Sequence, residues 1–136
     1  LYAYDLYSRG GAGRKISKED DESYMTIYEY VDKIGVPVWM SGFDALIDAI
    51  DILKGALQNN ESPTIVDINR KLCVKYHTSA IAMDRLLRRA VDYAVVRKQT
   101  HGPLYYEVLG DTPRQAMPLK QFLYISARYL MREEAQ

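Results

Sequence analysis

Apolar residues recur along this chain with helical spacing far more often than with the alternation of a strand. Phe43, Leu46, Ile47, Ile50, Leu53 and Leu57 follow the three- and four-residue steps of one helix face, and the pattern stops at Asn59-Asn60. Ser41 with Asp44 three residues on reads as the capping box that opens this helix. Before it, residues 24–33 read as a short helix, ended by Ile34-Gly35-Val36-Pro37 with glycine at the stop and proline just beyond. A third helix is expected from Ser62-Pro63, serine as cap and proline in the first helical position, carrying Ile65, Ile68, Leu72 and Tyr76. A fourth runs over about 78–96, with Ala80, Met83, Leu87, Ala90, Val91 and Ala94 on one face. The last covers about 118–132, with Phe122, Ile125, Tyr129 and Leu130 inward. Val95-Val96-Arg97-Lys98-Gln99 and Leu104 to Leu109, separated by Thr100-His101-Gly102-Pro103, have the pattern of a small β-hairpin. The expected fold class is therefore all-α, a compact helical domain with that hairpin after its fourth helix.

The third and fourth helices are three or four residues apart and must share a core, which makes them a helix-turn-helix. The turn contains no glycine. With Met83, Leu87, Ala90 and Ala94 facing the core, the opposite side of the fourth helix carries Thr78, Ile81, Arg85, Arg88, Arg89 and Asp92. Arginines there suit a major groove, where they donate in pairs to guanine or hold phosphates. Thr78 and Ser79 put hydroxyls and backbone N–H groups at a helix start, where phosphate oxygens bind. Ile81 suits a thymine methyl. The plainer account is a solvated outer face, the ordinary state of an Arg-rich amphipathic helix.

Charge sharpens the choice. The 136 residues hold 18 Lys+Arg against 18 Asp+Glu, a net of zero. Residues 1–60 have 6 basic and 10 acidic side chains, however, and residues 61–136 have 12 and 8. Within 70–98 lie Arg70, Lys71, Lys75, Arg85, Arg88, Arg89, Arg97 and Lys98 against only Asp84 and Asp92. A basic face on a neutral body is what a local DNA contact requires.

Residues 1–22 read as a flexible or partner-docking segment, with Tyr2, Tyr4 and Tyr7 before Ser8-Arg9-Gly10-Gly11-Ala12-Gly13, and residues 23–136 as the effector domain. The glycine run is not a phosphate loop, because Gly-Lys-Ser/Thr is missing and Ile16 follows Lys15. Cys73 and two histidines give too few ligands for an ordinary zinc site, and no acid pair or Ser-His-acid order supports catalysis. A non-enzyme without metal or cofactor is expected. No run of 18 apolar residues is present to span a membrane, and no basic-then-apolar leader opens the chain. With one cysteine, this reads as a cytoplasmic protein. The start at Leu1 reads as that of a fragment or processed chain.

These residues also resemble a known family. Ile34-Gly35-Val36-Pro37, Ser41-Gly42-Phe43, Lys75-Tyr76-His77-Thr78-Ser79-Ala80 and Asp84-Arg85-Leu86-Leu87-Arg88-Arg89-Ala90-Val91-Asp92 are similar to the C-terminal DNA-binding effector domain of the stage-zero sporulation response regulator of endospore-forming bacteria. The resemblance covers about 24–96 and, loosely, the last helix. It implies an all-helical fold, a recognition helix over 79–96 supported by a helix over 62–76, and a homodimer on tandem sites in double-stranded DNA. It also implies an upstream receiver domain and RNA polymerase as a partner. By this resemblance Arg85 and Arg88 match family arginines and Thr78 a family threonine. Where the family has Ser-Arg in the first turn of the recognition helix, this chain has Ile81-Ala82.

The resulting expectation is a sequence-specific DNA-binding transcription regulator. Arg85, Arg88 and Arg89 would contact DNA, Thr78, Ser79 and Ile81 would lie near base edges, Ala82 would fall within the same DNA-binding surface, and Lys75, Arg97 and Lys98 would lie on phosphates, the last two as in the wing of a winged helix. The alternative is a protein-interaction module that keeps the fold without DNA readout, with Ile81 in a protein contact.

Overall fold

A computed structural model describes residues 25–97, 102–110 and 117–135. The Tyr-rich segment 1–22, Tyr24, Lys98 and His101 lie outside the described residues. Among those described, the fold is all-helical: α1 (Ile27–Ile34), α2 (Phe43–Gln58), α3 (Ile65–Lys75), α4 (Ala80–Val96), α5 (Pro103–Leu109) and α6 (Leu119–Ala135).

Helix starts follow local chemistry. Thr26 caps α1 and exchanges hydrogen bonds with Glu29: the Glu29 N–H donates to Thr26 Oγ1 at 3.1 Å, and the Thr26 N–H to Glu29 Oε1 at 3.0 Å. Thr64 and Asp67 repeat the arrangement at α3, at 3.1 and 3.0 Å. This corrects the expected start at Ser62-Pro63: the reciprocal box satisfies two backbone donors and outcompetes a serine cap with proline behind it. The expected Ser41 box is corrected too. The cap of α2 is Gly42, without a side-chain bond, and Ser41 is exposed.

Three helices end alike. After α1, the Val36 N–H donates to Val31 O (3.2 Å) and that of Gly35 to Asp32 O (3.3 Å). After α2, Glu61 donates to Ala56 O (2.8 Å) and Asn60 to Leu57 O (3.0 Å). After α3, Thr78 donates to Cys73 O (3.0 Å) and His77 to Val74 O (3.3 Å). Each closure needs one residue at positive φ, and the chain supplies Gly35 (121°), Asn60 (61°) and His77 (54°). The turn between α3 and α4 therefore does have the left-handed residue that glycine usually provides, in the form of a histidine.

Helix α2 is the hub, packed against α1, α3, α4 and α6. Phe43, Leu46, Ala49, Ile50 and Leu53 are buried along it, and each large side chain so removed from water stabilises the fold by about 1.5–3 kcal/mol. Tyr30 of α1 is fully buried; its hydroxyl donates to Ser126 Oγ of α6 at 2.8 Å, and burial pushes its pKa far above the usual phenol range. Lys54 pairs with Glu134 to tie α2 to α6.

The expected hairpin is absent among the described residues. Val95 and Val96 belong to the last turn of α4, and residues 103–109 are helical. Strand alternation would turn Leu104, Tyr106 and Val108 to one side. Instead Leu104, Tyr105 and Leu109 are buried while Tyr106 is 48% exposed, the spacing of a helix that begins at Pro103. With no hairpin, the winged-helix comparison falls.

Candidate nucleic-acid interface

The α3–α4 pair is assembled from both sides of its turn. Ile68 and Leu72 of α3 and Met83, Leu87, Ala90, Val91, Ala94 and Val95 of α4 are buried. Ala80, expected on that inner face, is exposed. Ser79 is the N-cap of α4, and its Oγ accepts the Ala82 N–H at 3.0 Å. That capping bond, and the Thr78 N–H bound to Cys73 O, occupy two of the donors expected to meet phosphate. Thr78 and Ala82 are half-buried.

Opposite the core, α4 presents the residues the periodicity placed there except Thr78, which precedes the helix and is half-buried. Ile81 is 69% exposed, and Arg85, Arg88, Arg89 and Asp92 are exposed along the same face. Arg88 is held: its Nε donates to Asp84 Oδ2 at 2.7 Å, one helical turn back. Asp84 in turn accepts the Asn69 side-chain amide of α3 on Oδ1 at 3.0 Å. Asn69 is buried, and its own Oδ1 has no partner.

Of the residues expected on phosphates, Lys75 lies at the end of α3 with its ammonium on Asp48 of α2 at 2.8 Å, so its charge is shared with the body of the domain. The Arg97 guanidinium sits over the Tyr93 ring at 4.4 Å, and Tyr93 meets the exposed Trp39 edge-on at 6.0 Å. Lys98 lies outside the described residues. Cys73 is half-buried, with its thiol donating to Arg70 O at 3.3 Å.

Two features escaped sequence reasoning. The Asn69–Asp84 bond joins residues on different helices, and no local pattern announces it; only the i, i+4 spacing of Asp84 and Arg88 was visible. Trp39 is 75% exposed although its neighbours Val36 and Met40 pack inward. A hollow of about 750 Å³ beside α3 is lined by Glu61, Pro63, Asp67, Arg70 and Lys71, but Asp67 is committed to its capping box. No group of three or more potential metal ligands occurs among the described residues, and none of their helices is long and apolar enough to cross a membrane.

Comparisons with protein-family models, with characterised proteins and with solved structures find no match to this chain.

Proposed function

We propose that this protein is a sequence-specific DNA-binding transcription regulator that lays α4 in the major groove. One observation carries the reading: Arg85, Arg88 and Arg89 stand in solvent beside exposed Ile81 on the single outer face of a helix whose other side is locked into the core. Arg85 lies at the centre of that face. Arg88, paired with Asp84 through Nε, would offer its Nη groups to guanine or phosphate, and exposed Ile81 would meet a thymine methyl. Thr78 and Ser79 would meet the DNA backbone at the start of α4, where the Thr78 and Ala82 N–H groups are already engaged and Ser79 Oγ is the cap acceptor. The likeness of residues 24–96 to the sporulation effector domain supports the same role, and with it a cytoplasmic homodimer on tandem sites that meets RNA polymerase.

The test is selection from a random duplex pool. The reading expects a recurrent motif with guanine at the positions nearest α4, and a motif that weakens in Arg85→Ala. Recovery of unrelated sequences contradicts it.

A second reading has its own observation. Val66, Val74 and Ile81 are exposed by 61%, 72% and 69% on the same two helices, more aliphatic surface than phosphate contact requires. A protein-interaction module with this fold would use that surface, and its binding to a protein partner would fail in Ile81→Asp while Arg85→Ala left it unchanged.

A further inference from the structure

The geometry points to Asp84 and Asn69 as positioning residues that aim Arg88 at one base pair, an inference that rests on the DNA-binding reading. An arginine in the middle of an exposed helix face samples many rotamers, and fixing it on a base costs that freedom at the moment of binding. Here the freedom is already reduced. Asp84 Oδ2 takes the Nε–H of Arg88 at 2.7 Å, leaving the two Nη groups as the outward fork. The partner lies four residues earlier, so the side chain is drawn towards the N-terminal half of α4, the part of a recognition helix that reaches base edges.

Asp84 is itself tethered by the Asn69 amide of α3 at 3.0 Å, so the orientation is referred to the supporting helix. Asn69 makes this bond while its Oδ1 stays buried without a partner. For stability alone the arrangement gains little, because the bond to Asp84 is offset by the buried oxygen left without a partner. The arrangement does place a carboxylate at a fixed point beside Arg88. A carboxylate this close to DNA repels phosphate, so its contribution is to selectivity rather than affinity.

Measuring base preference at each position of the selected site separates this role from a structural one. The unaltered full chain is compared with Asp84→Asn, Asn69→Leu, Arg88→Ala and the double variant Asp84→Asn/Arg88→Ala. Asp84→Asn is expected to reduce discrimination at one base pair by roughly tenfold, the worth of a well-made paired contact, with non-specific affinity unchanged or raised. Asn69→Leu is expected to soften the same position while keeping the melting temperature, a combination that mere misfolding does not give. In the Arg88→Ala background, Asp84→Asn is expected to change nothing further. An equal loss in that background shows that Asp84 reads the base itself and overturns the proposal, as does full preference in both Asp84→Asn and Asn69→Leu. A protein that selects no sequence at all fails earlier, at the functional reading, and takes this role with it.

Discussion

Gly42 and Leu86 are in backbone contact: a β-carbon on Gly42 would stand 2.5 Å from the Leu86 carbonyl oxygen and 3.2 Å from the Ala90 β-carbon. The start of α2 is thereby pressed onto the middle of α4, and neither atom met is the far end of a flexible side chain. Gly42→Ala is expected to destabilise the domain by about 2 kcal/mol or more through overpacking. In a thermal melt this lowers Tm by roughly 5–10 °C. An unchanged Tm would show that the two helices separate without cost.

The left-handed turn residue gives a change of opposite sign. His77 at φ 54° carries a β-carbon in a conformation that glycine adopts freely. His77→Gly keeps both closing hydrogen bonds and is expected to stabilise by about 0.5–1 kcal/mol, while His77→Val destabilises, since a β-branched residue tolerates positive φ least. Urea midpoints of the two variants check the order.

That turn shows what was legible in the sequence and what was not. The faces of α2 and α4 were legible because Leu46, Ile50 and Leu53, and Met83, Leu87 and Ala90, repeat at the helical period and are all buried. Helix ends were less so. Asn60 and His77 close helices by backbone hydrogen bonds that any residue able to reach positive φ can make, so no glycine marks these ends. The segment 103–109 misled because Tyr105, Tyr106 and Val108 favour strands by composition, while burial of Leu104, Tyr105 and Leu109 decided for a helix. At the candidate interface, exposure of Arg85 and Ile81 followed from the wheel. The engagement of Lys75 by Asp48 and of Asp84 by Asn69 did not, because these pairs lie 27 and 15 residues apart.

Acid should weaken the start of α3. Asp67 accepts the backbone N–H of Thr64, which holds its carboxyl below the usual carboxylate range. A lowered pKa in the folded state stabilises the fold above the unfolded value of about 4, and that contribution is lost as pH falls through the lowered one. The stability difference between the unaltered protein and Asp67→Ala is expected to be larger at pH 7 than at pH 3. A gap that is constant with pH contradicts the assignment.

The buried tyrosine predicts an alkaline response. Tyr30 is shut from water, and Tyr129, whose hydroxyl donates to Glu107 at 2.9 Å, has its pKa pushed up to about 12, first by burial and then by that carboxylate. With the neutral form favoured by the fold, stability is complete below the ordinary tyrosine pKa of about 10 and is lost as pH rises beyond it. Tyr30→Phe removes one such group and orphans the Ser126 hydroxyl, at about 1–2 kcal/mol. Ultraviolet titration should show both phenols ionising late and together with unfolding.

DNA reading by α4 is measured by the affinity of the full chain for its selected DNA fragment across a range of salt concentrations, with and without Arg85→Ala plus Arg88→Ala. A DNA reader loses affinity linearly in log salt, and the double variant should bind its fragment roughly a hundredfold more weakly, with a slope reduced by up to about two. Equal, weak binding to all fragments, unaffected by losing both arginines, would contradict the account.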